Sequence, residues 1–114
     1  MTGPERGRYQ SGEVVLLSFP FSDAVRARKR PALVVLDTGD DDIVVARVTS
    51  QSARTPFDVE VSEWQEAGLL LPSVARLDKL ATLEKRLVDS RLGRLTPGDW
   101  TKARAALQQL WSSI

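Results

Sequence analysis

The sequence predicts a mainly β domain, a small and strongly curved sheet or barrel closed by one C-terminal helix. Three observations lead there. Short apolar runs rich in Val, Leu and Ile recur between residues 13 and 92, with turn residues between them roughly every eight to twelve positions. Only the last segment repeats its apolar residues at three- and four-residue spacing. The 114 residues suit a single core, because a chain of this size buries roughly two-thirds of its extended surface and needs no staple.

The elements follow in order. Residues 1–10 read as a flexible lead interrupted by Gly3, Pro4 and Gly7, and residues 11–114 as one domain. Glu13 to Phe19 is a β-rich run, and Ala32 to Leu36 is continuous enough to be a strand buried on both faces. Between them runs a polar loop, Pro20 to Pro31, that ends in Arg28, Lys29 and Arg30. Asp37 to Asp42 is a turn with Gly39 available for positive φ, and Ile43 to Thr49 returns as the second arm of a hairpin. Phe57 to Val61 alternates apolar with acidic residues, as a half-exposed strand does. Glu63 to Ala67 fits one helical turn ending at Gly68. Val74 to Leu77 and Leu80 to Leu83 are two further short runs after a Pro72–Ser73 kink, and Lys85 to Leu92 fits strand or helix. Thr96 is an N-cap, Pro97 suits the first helical position, and Asp99 favours the positive end of the helix dipole. Trp100, Ala103, Leu107, Leu110 and Trp111 then form one apolar stripe, which places both tryptophans in the core.

Composition removes several classes of chemistry. The chain has no Cys, so thiol catalysis, iron–sulfur clusters and a disulfide scaffold are excluded, and a reducing compartment, the cytoplasm, is expected. It has no His, which removes Ser-His and Cys-His nucleophile pairs and the commonest zinc ligand. No cofactor is expected, since neither a Gly-rich phosphate loop nor a metal-ligand spacing is present, and Asp40, Asp41 and Asp42 read as a solvated turn tip. No apolar run approaches the roughly 20 residues of a membrane-spanning helix, and residues 1–10 lack the apolar stretch of a secretory signal. The net charge of +1 hides segregation: residues 1–36 hold six basic and three acidic side chains, 37–66 two and eight, and 67–114 eight and four. Basic ends on a nearly neutral chain can build a positive groove for a phosphate backbone.

Five segments, in order, carry a resemblance. Gly12 to Val15 leading into Phe19 to Asp23, Lys29 to Val35, Ala46 to Gln51, Ala67 to Ser73, and Leu92 to Leu95 together make the chain similar to the MazF/PemK toxins of toxin–antitoxin systems over about residues 11–112. The Pro20–Asp23 form of the first loop resembles a divergent PemK-like branch. The resemblance implies an SH3-like barrel of five to six strands, a homodimer, metal-independent cleavage of single-stranded RNA, and a cognate antitoxin. It also places the catalytic arginine at Arg30 and the catalytic threonine at Thr49, with Ser50 and Gln51 lining the same groove.

The chemistry of these side chains is compatible with that role. Cleaving RNA through its own 2′-hydroxyl needs a proton acceptor, a cation for the phosphorane oxygens, and help for the departing 5′-oxygen. Arg30 offers a planar, bidentate donor set matched to phosphate, and Thr49 a neutral hydrogen bond at a strand end. Arginine accepts protons poorly, so Arg30 is assigned electrostatic stabilisation and the general base stays open. Phe21 is a candidate for base stacking, and Arg28, Lys29, Arg76 and Lys79 are candidate phosphate contacts. A non-catalytic SH3-like binding module, or a gyrase-poisoning toxin acting by protein contacts, is the competing reading.

Overall fold

A computed structural model describes residues 7–19 and 28–114, with Phe19 and Arg28 described by their backbone only. Six strands and one helix make up the described chain: β1 (Glu13–Phe19), β2 (Arg28–Asp37), β3 (Asp42–Thr49), β4 (Asp58–Val61), β5 (Ser73–Glu84), β6 (Val88–Arg94) and α1 (Pro97–Ser112). The strands form one sheet in the order β4-β5-β3-β2-β1-β6, and every neighbouring pair is antiparallel.

The sheet buries both faces at its centre, as the continuous apolar runs of β1 and β2 require. On one face Val14, Leu33, Ala46, Val48, Val61 and Leu77 pack beneath Ala103 and Ala106 of α1. On the other, Val15, Leu17, Ala32, Val34, Ile43 and Val45 form a smaller core. Tyr9, Leu87 and Val88 pack against that second core. Residues 7–10 are tied to the sheet: the Tyr9 amide donates to Asp37 at 2.8 Å, and Lys85 and Arg91 donate to the carbonyls of Gly7 and Arg8.

The expectation of a mainly β sheet with a terminal helix holds, and the sheet is not closed into a barrel among the described residues. β4 and β6 are the two sheet edges and no ladder joins them among the described residues. The turn that follows β4 makes a close backbone approach to β6. The turn at Ala67–Gly68 lies so close to Leu92–Gly93 that a Cβ on Gly68 would sit 2.0 Å from the Leu92 carbonyl oxygen, and one on Gly93 2.6 Å from that of Ala67. Gly68 also has φ +84°, the left-handed value that ends the turn opened by the Ala67 amide bonding the Glu63 carbonyl at 3.2 Å.

Other boundaries moved for identifiable reasons. β2 starts at Arg28 rather than Ala32, because Arg28, Lys29, Arg30 and Pro31 all pair with β1. Pro31 has no N–H to give and lies where the β2–β3 ladder ends, at Ala32 opposite Arg47. The two apolar runs after Ser73 are one strand, β5, whose register against β3 jumps between Ala46–Leu80 and Arg47–Arg76. That bulge bends the strand so that both runs stay paired to β3. Lys85 to Leu92 resolves into a 3-10 turn, Lys85–Leu87, followed by β6.

The helix begins where its caps predict. Thr96 accepts from the Asp99 amide at 3.3 Å, and Pro97 opens the first turn. Trp100 is half-buried against the larger core, but Trp111 is 78% exposed, contrary to the expectation that the stripe buries both. α1 packs on β4 and β5, and its buried residues are Asp99, Ala103 and Ala106, so Trp111 lies beyond the last of them. No helix among the described residues is long and apolar enough to cross a membrane.

Candidate functional site

Cross-strand register determines what gathers around Arg30. In an antiparallel pair, directly opposed residues share a face and alternate residues return to it. Arg30 opposes Leu17 and Ala32 opposes Val15, so Arg30 belongs to the face of the smaller core. Ala32 in turn opposes Arg47 on β3, which brings Arg47 to that face diagonally from Arg30. Thr49, two residues on from Arg47, returns to the same face of β3 beyond the last β2–β3 pair.

Two clefts meet at Arg30. One, of about 480 Å³, has an apolar floor that includes Leu17, Ala32, Val45 and Leu83, with Arg30, Arg47 and Lys79 on its lining. The other, of about 420 Å³, is lined by Arg30, Thr49, Ser50, Ser73 and the Leu69–Leu71 turn. Arg30, Pro31 and Val48 line both, so they form the seam between them. Among the described residues none of Arg30, Arg47 and Lys79 makes an ion pair. Three cations over an apolar floor with no carboxylate in the lining constitute a site for an anion that also carries apolar or aromatic surface.

Thr49 is held in a defined orientation. Its Oγ1 accepts from the Gln51 amide at 3.1 Å, which occupies a lone pair and leaves the hydroxyl proton to be donated outward. Leu70, 91% exposed, and Leu71 form an apolar rim on the same cleft.

The remaining residues singled out from the sequence divide. Ser50 is exposed beside Thr49, and Lys79 is exposed on the first cleft. Gln51 is exposed, but its Oε1 already accepts from Arg54 at 3.0 Å and Arg76 at 3.3 Å. Arg76 is not presented to a ligand: it is buried and paired to Asp58 at 2.7 Å. Lys29 opposes Ser18, alternates away from Arg30, and pairs on the surface with Asp89 at 3.4 Å. Arg28 opens β2 opposite Phe19 in the backbone pairing. Phe21 lies outside the described residues. Arg47 is the residue that sequence reading missed; its signal was its position two before Thr49 on an alternating strand.

Two carboxylates brace the surroundings. Burial pushes Asp99 upward, but hydrogen bonds from the Glu63 amide, Lys102 and the Ser62 amide, with the Lys102 charge, outweigh it and hold the carboxyl below the ordinary range. Burial likewise raises Asp37, and the Lys85 hydrogen bond, the Tyr9 and Gly39 amides and the Lys85 charge lower it further than burial raises it.

A bent, antiparallel six-stranded sheet with a terminal helix thus carries Arg30 at the seam of two clefts and Thr49 on one of them. The family model of the PemK-like, MazF-like toxins of type II toxin–antitoxin systems matches residues 10–111, and the chain belongs to that family. A search of curated proteins finds no significant match. Solved structures of similar fold include an endoribonuclease from a mycobacterial species, 21% identical with a TM-score of 0.70, each chain covered over 91%. A mycobacterial endoribonuclease in complex with its cognate antitoxin is also 21% identical, TM-score 0.73, over 92% of this chain and 96% of that one. A MazE–MazF complex from Deinococcus radiodurans aligns over 91% of this chain and 96% of that one, at 21% identity and a TM-score of 0.75.

Proposed function

We propose that this toxin is an endoribonuclease that cleaves single-stranded RNA without a metal ion and is inhibited by a cognate antitoxin. The observation that supports this most is the placement of Arg30 at the seam of the two clefts, with Thr49 on one side and Arg47 and Lys79 on the other. The scissile phosphate sits against the Arg30 guanidinium, which stabilises the extra charge on the phosphorane oxygens as the 2′-oxygen attacks phosphorus and the 5′-oxygen departs. Thr49 donates its hydroxyl to a non-bridging oxygen. The products are a 2′,3′-cyclic phosphate and a 5′-hydroxyl.

Arg47 and Lys79 hold flanking phosphates, and the apolar floor takes the face of a base. That arrangement favours single strands, whose bases are free to splay. The solved relatives described as endoribonucleases, one with its antitoxin bound, support the same reading. An acidic antitoxin segment occupies the same cationic surface and competes with RNA. The toxin works as a homodimer in the cytoplasm, and the bent sheet, with the turn at Gly68 packed against Leu92 of its β6 edge, is an SH3-like open barrel.

The test is a comparison of one RNA sequence presented single-stranded and annealed to its complement, in EDTA. Cleavage of the single strand alone is expected. Equal cleavage of both forms, or of neither, would overturn the proposal.

A further inference from the structure

Beside Arg47, which opposes Arg76 in the β3–β5 register, lies a buried ion pair that the reaction does not touch. Arg76 and Asp58, with side chains 7% and 0% exposed, meet at 2.7 Å. They come from adjacent strands and oppose each other in the β4–β5 register. Asp58 through Oδ2 and Arg76 through its second guanidinium nitrogen bond the segment that follows Thr49, while Asp58 Oδ1 is buried without a partner among the described residues. Asp58 Oδ2 accepts from the amides of Arg54 and Thr55 at 2.7 and 3.2 Å as well as from Arg76. The second guanidinium nitrogen of Arg76 donates to Gln51 Oε1 at 3.3 Å and to the Ser52 carbonyl at 3.4 Å. Gln51 closes the chain of contacts by donating its amide to Thr49 Oγ1 at 3.1 Å.

Resting on the reading of Thr49 as part of an RNA-cleaving site, we propose that Asp58 and Arg76 are positioning residues that fix the 49–55 segment and thereby aim the Thr49 hydroxyl. The reason for an arginine is geometric. A planar fork engages Asp58 with one nitrogen and Gln51 and Ser52 with the other, whereas a lysine ammonium keeps the charge but cannot span both sides. The reason for burial is rigidity, since a segment without regular hydrogen bonding stays in one conformation only when its polar groups are satisfied from beneath. Arg76 thus acts on the reaction through Gln51 and Thr49 and makes no phosphate contact.

Arg76→Lys in the full-length chain separates this role from two others. It preserves the charge pair with Asp58, so the melting temperature stays near wild type, while kcat falls about tenfold through misplacement of the hydroxyl. KM for a single-stranded RNA stays within about twofold, and the slope of log Kd against log salt is unchanged, because no phosphate contact is lost. Amide exchange at Gln51, Arg54 and Thr55 speeds up by about tenfold while the core amides keep their protection. If Arg76→Lys folds poorly, the pair Asp58→Asn with Arg76→Met removes the buried charge altogether, leaves an acceptor for the Arg54 and Thr55 amides, and gives the same loss of kcat. An unchanged kcat in a folded variant would overturn the proposal, as would a raised KM with a salt slope smaller by about one. Should wild-type protein cleave no RNA, the amide-exchange result still decides the positioning claim: unchanged exchange over 49–55 refutes it.

Discussion

Asp99 joins the terminal helix to the turn that backs the candidate site, and its removal has a calculable cost. The side chain is 3% exposed, accepts from the Glu63 amide at 2.9 Å and pairs with Lys102 at 3.1 Å. A hydrogen bond from an amide to a buried carboxylate contributes about 1.5–3 kcal/mol. The Lys102 pair contributes at most about 0.5 kcal/mol, because that ammonium is 46% exposed and screened by water. A carboxylate in the first helical turn adds about 0.3–1 kcal/mol through the dipole. Asp99→Ala is therefore expected to cost about 2–4 kcal/mol, or about 10–20 °C in melting temperature for a domain of this size, measured by urea and thermal unfolding. The pH dependence provides the second readout. The folded carboxyl lies below its ordinary value, so its stabilisation is complete above the unfolded value of about 3.9 and is lost as pH falls through the lower folded value. The gap between wild type and variant should be constant near neutrality and shrink in acid. A loss below about 1 kcal/mol, or a gap that does not close in acid, would refute this account of Asp99.

Gly68→Ala places a Cβ 2.0 Å from the Leu92 carbonyl oxygen at a left-handed backbone position, so it should destabilise by at least about 2 kcal/mol on urea titration. Arg47→Ala should weaken RNA binding and lower the salt slope by about one, with less effect on kcat than on KM; an unchanged salt slope would remove Arg47 from the phosphate path. Sedimentation at micromolar concentration should give twice the 12.6 kDa chain mass, and a species of monomer mass alone would contradict the homodimer.

Local patterns were legible where one physical rule decided them. β1 was readable to the residue because a continuous run of Val and Leu has no competing period, and α1 because Thr96, Pro97 and Asp99 each mark the same end. The N-terminal extension of β2 was hidden, since Lys29 and Arg30 look like loop residues until β1 supplies pairing partners. The bulge in β5 was invisible too, because the spacing of Val74–Leu77 and Leu80–Leu83 says nothing of register with β3. Gly68 was readable as the end of a turn, but its close approach to Gly93 was not, because it joins two backbones distant in sequence. At the site, family resemblance picked out Arg30 and Thr49, and the fold brings both to one cleft. Arg76 shows the limit of charge alone as a guide, for its partner Asp58 is 18 residues away and reached through strand pairing.

On the proposed reading, Arg30 stabilises charge on an RNA phosphate attacked by the neighbouring ribose 2′-hydroxyl. Wild-type protein and Arg30→Ala should be incubated with a defined single-stranded RNA in EDTA, with the product 5′ ends identified by their capacity to be phosphorylated. Wild-type protein should leave 5′-hydroxyl ends, and Arg30→Ala should cleave more slowly by about 100-fold or more with its melting temperature unchanged. Ends already carrying 5′-phosphate, or equal rates from the two proteins, would contradict that reading.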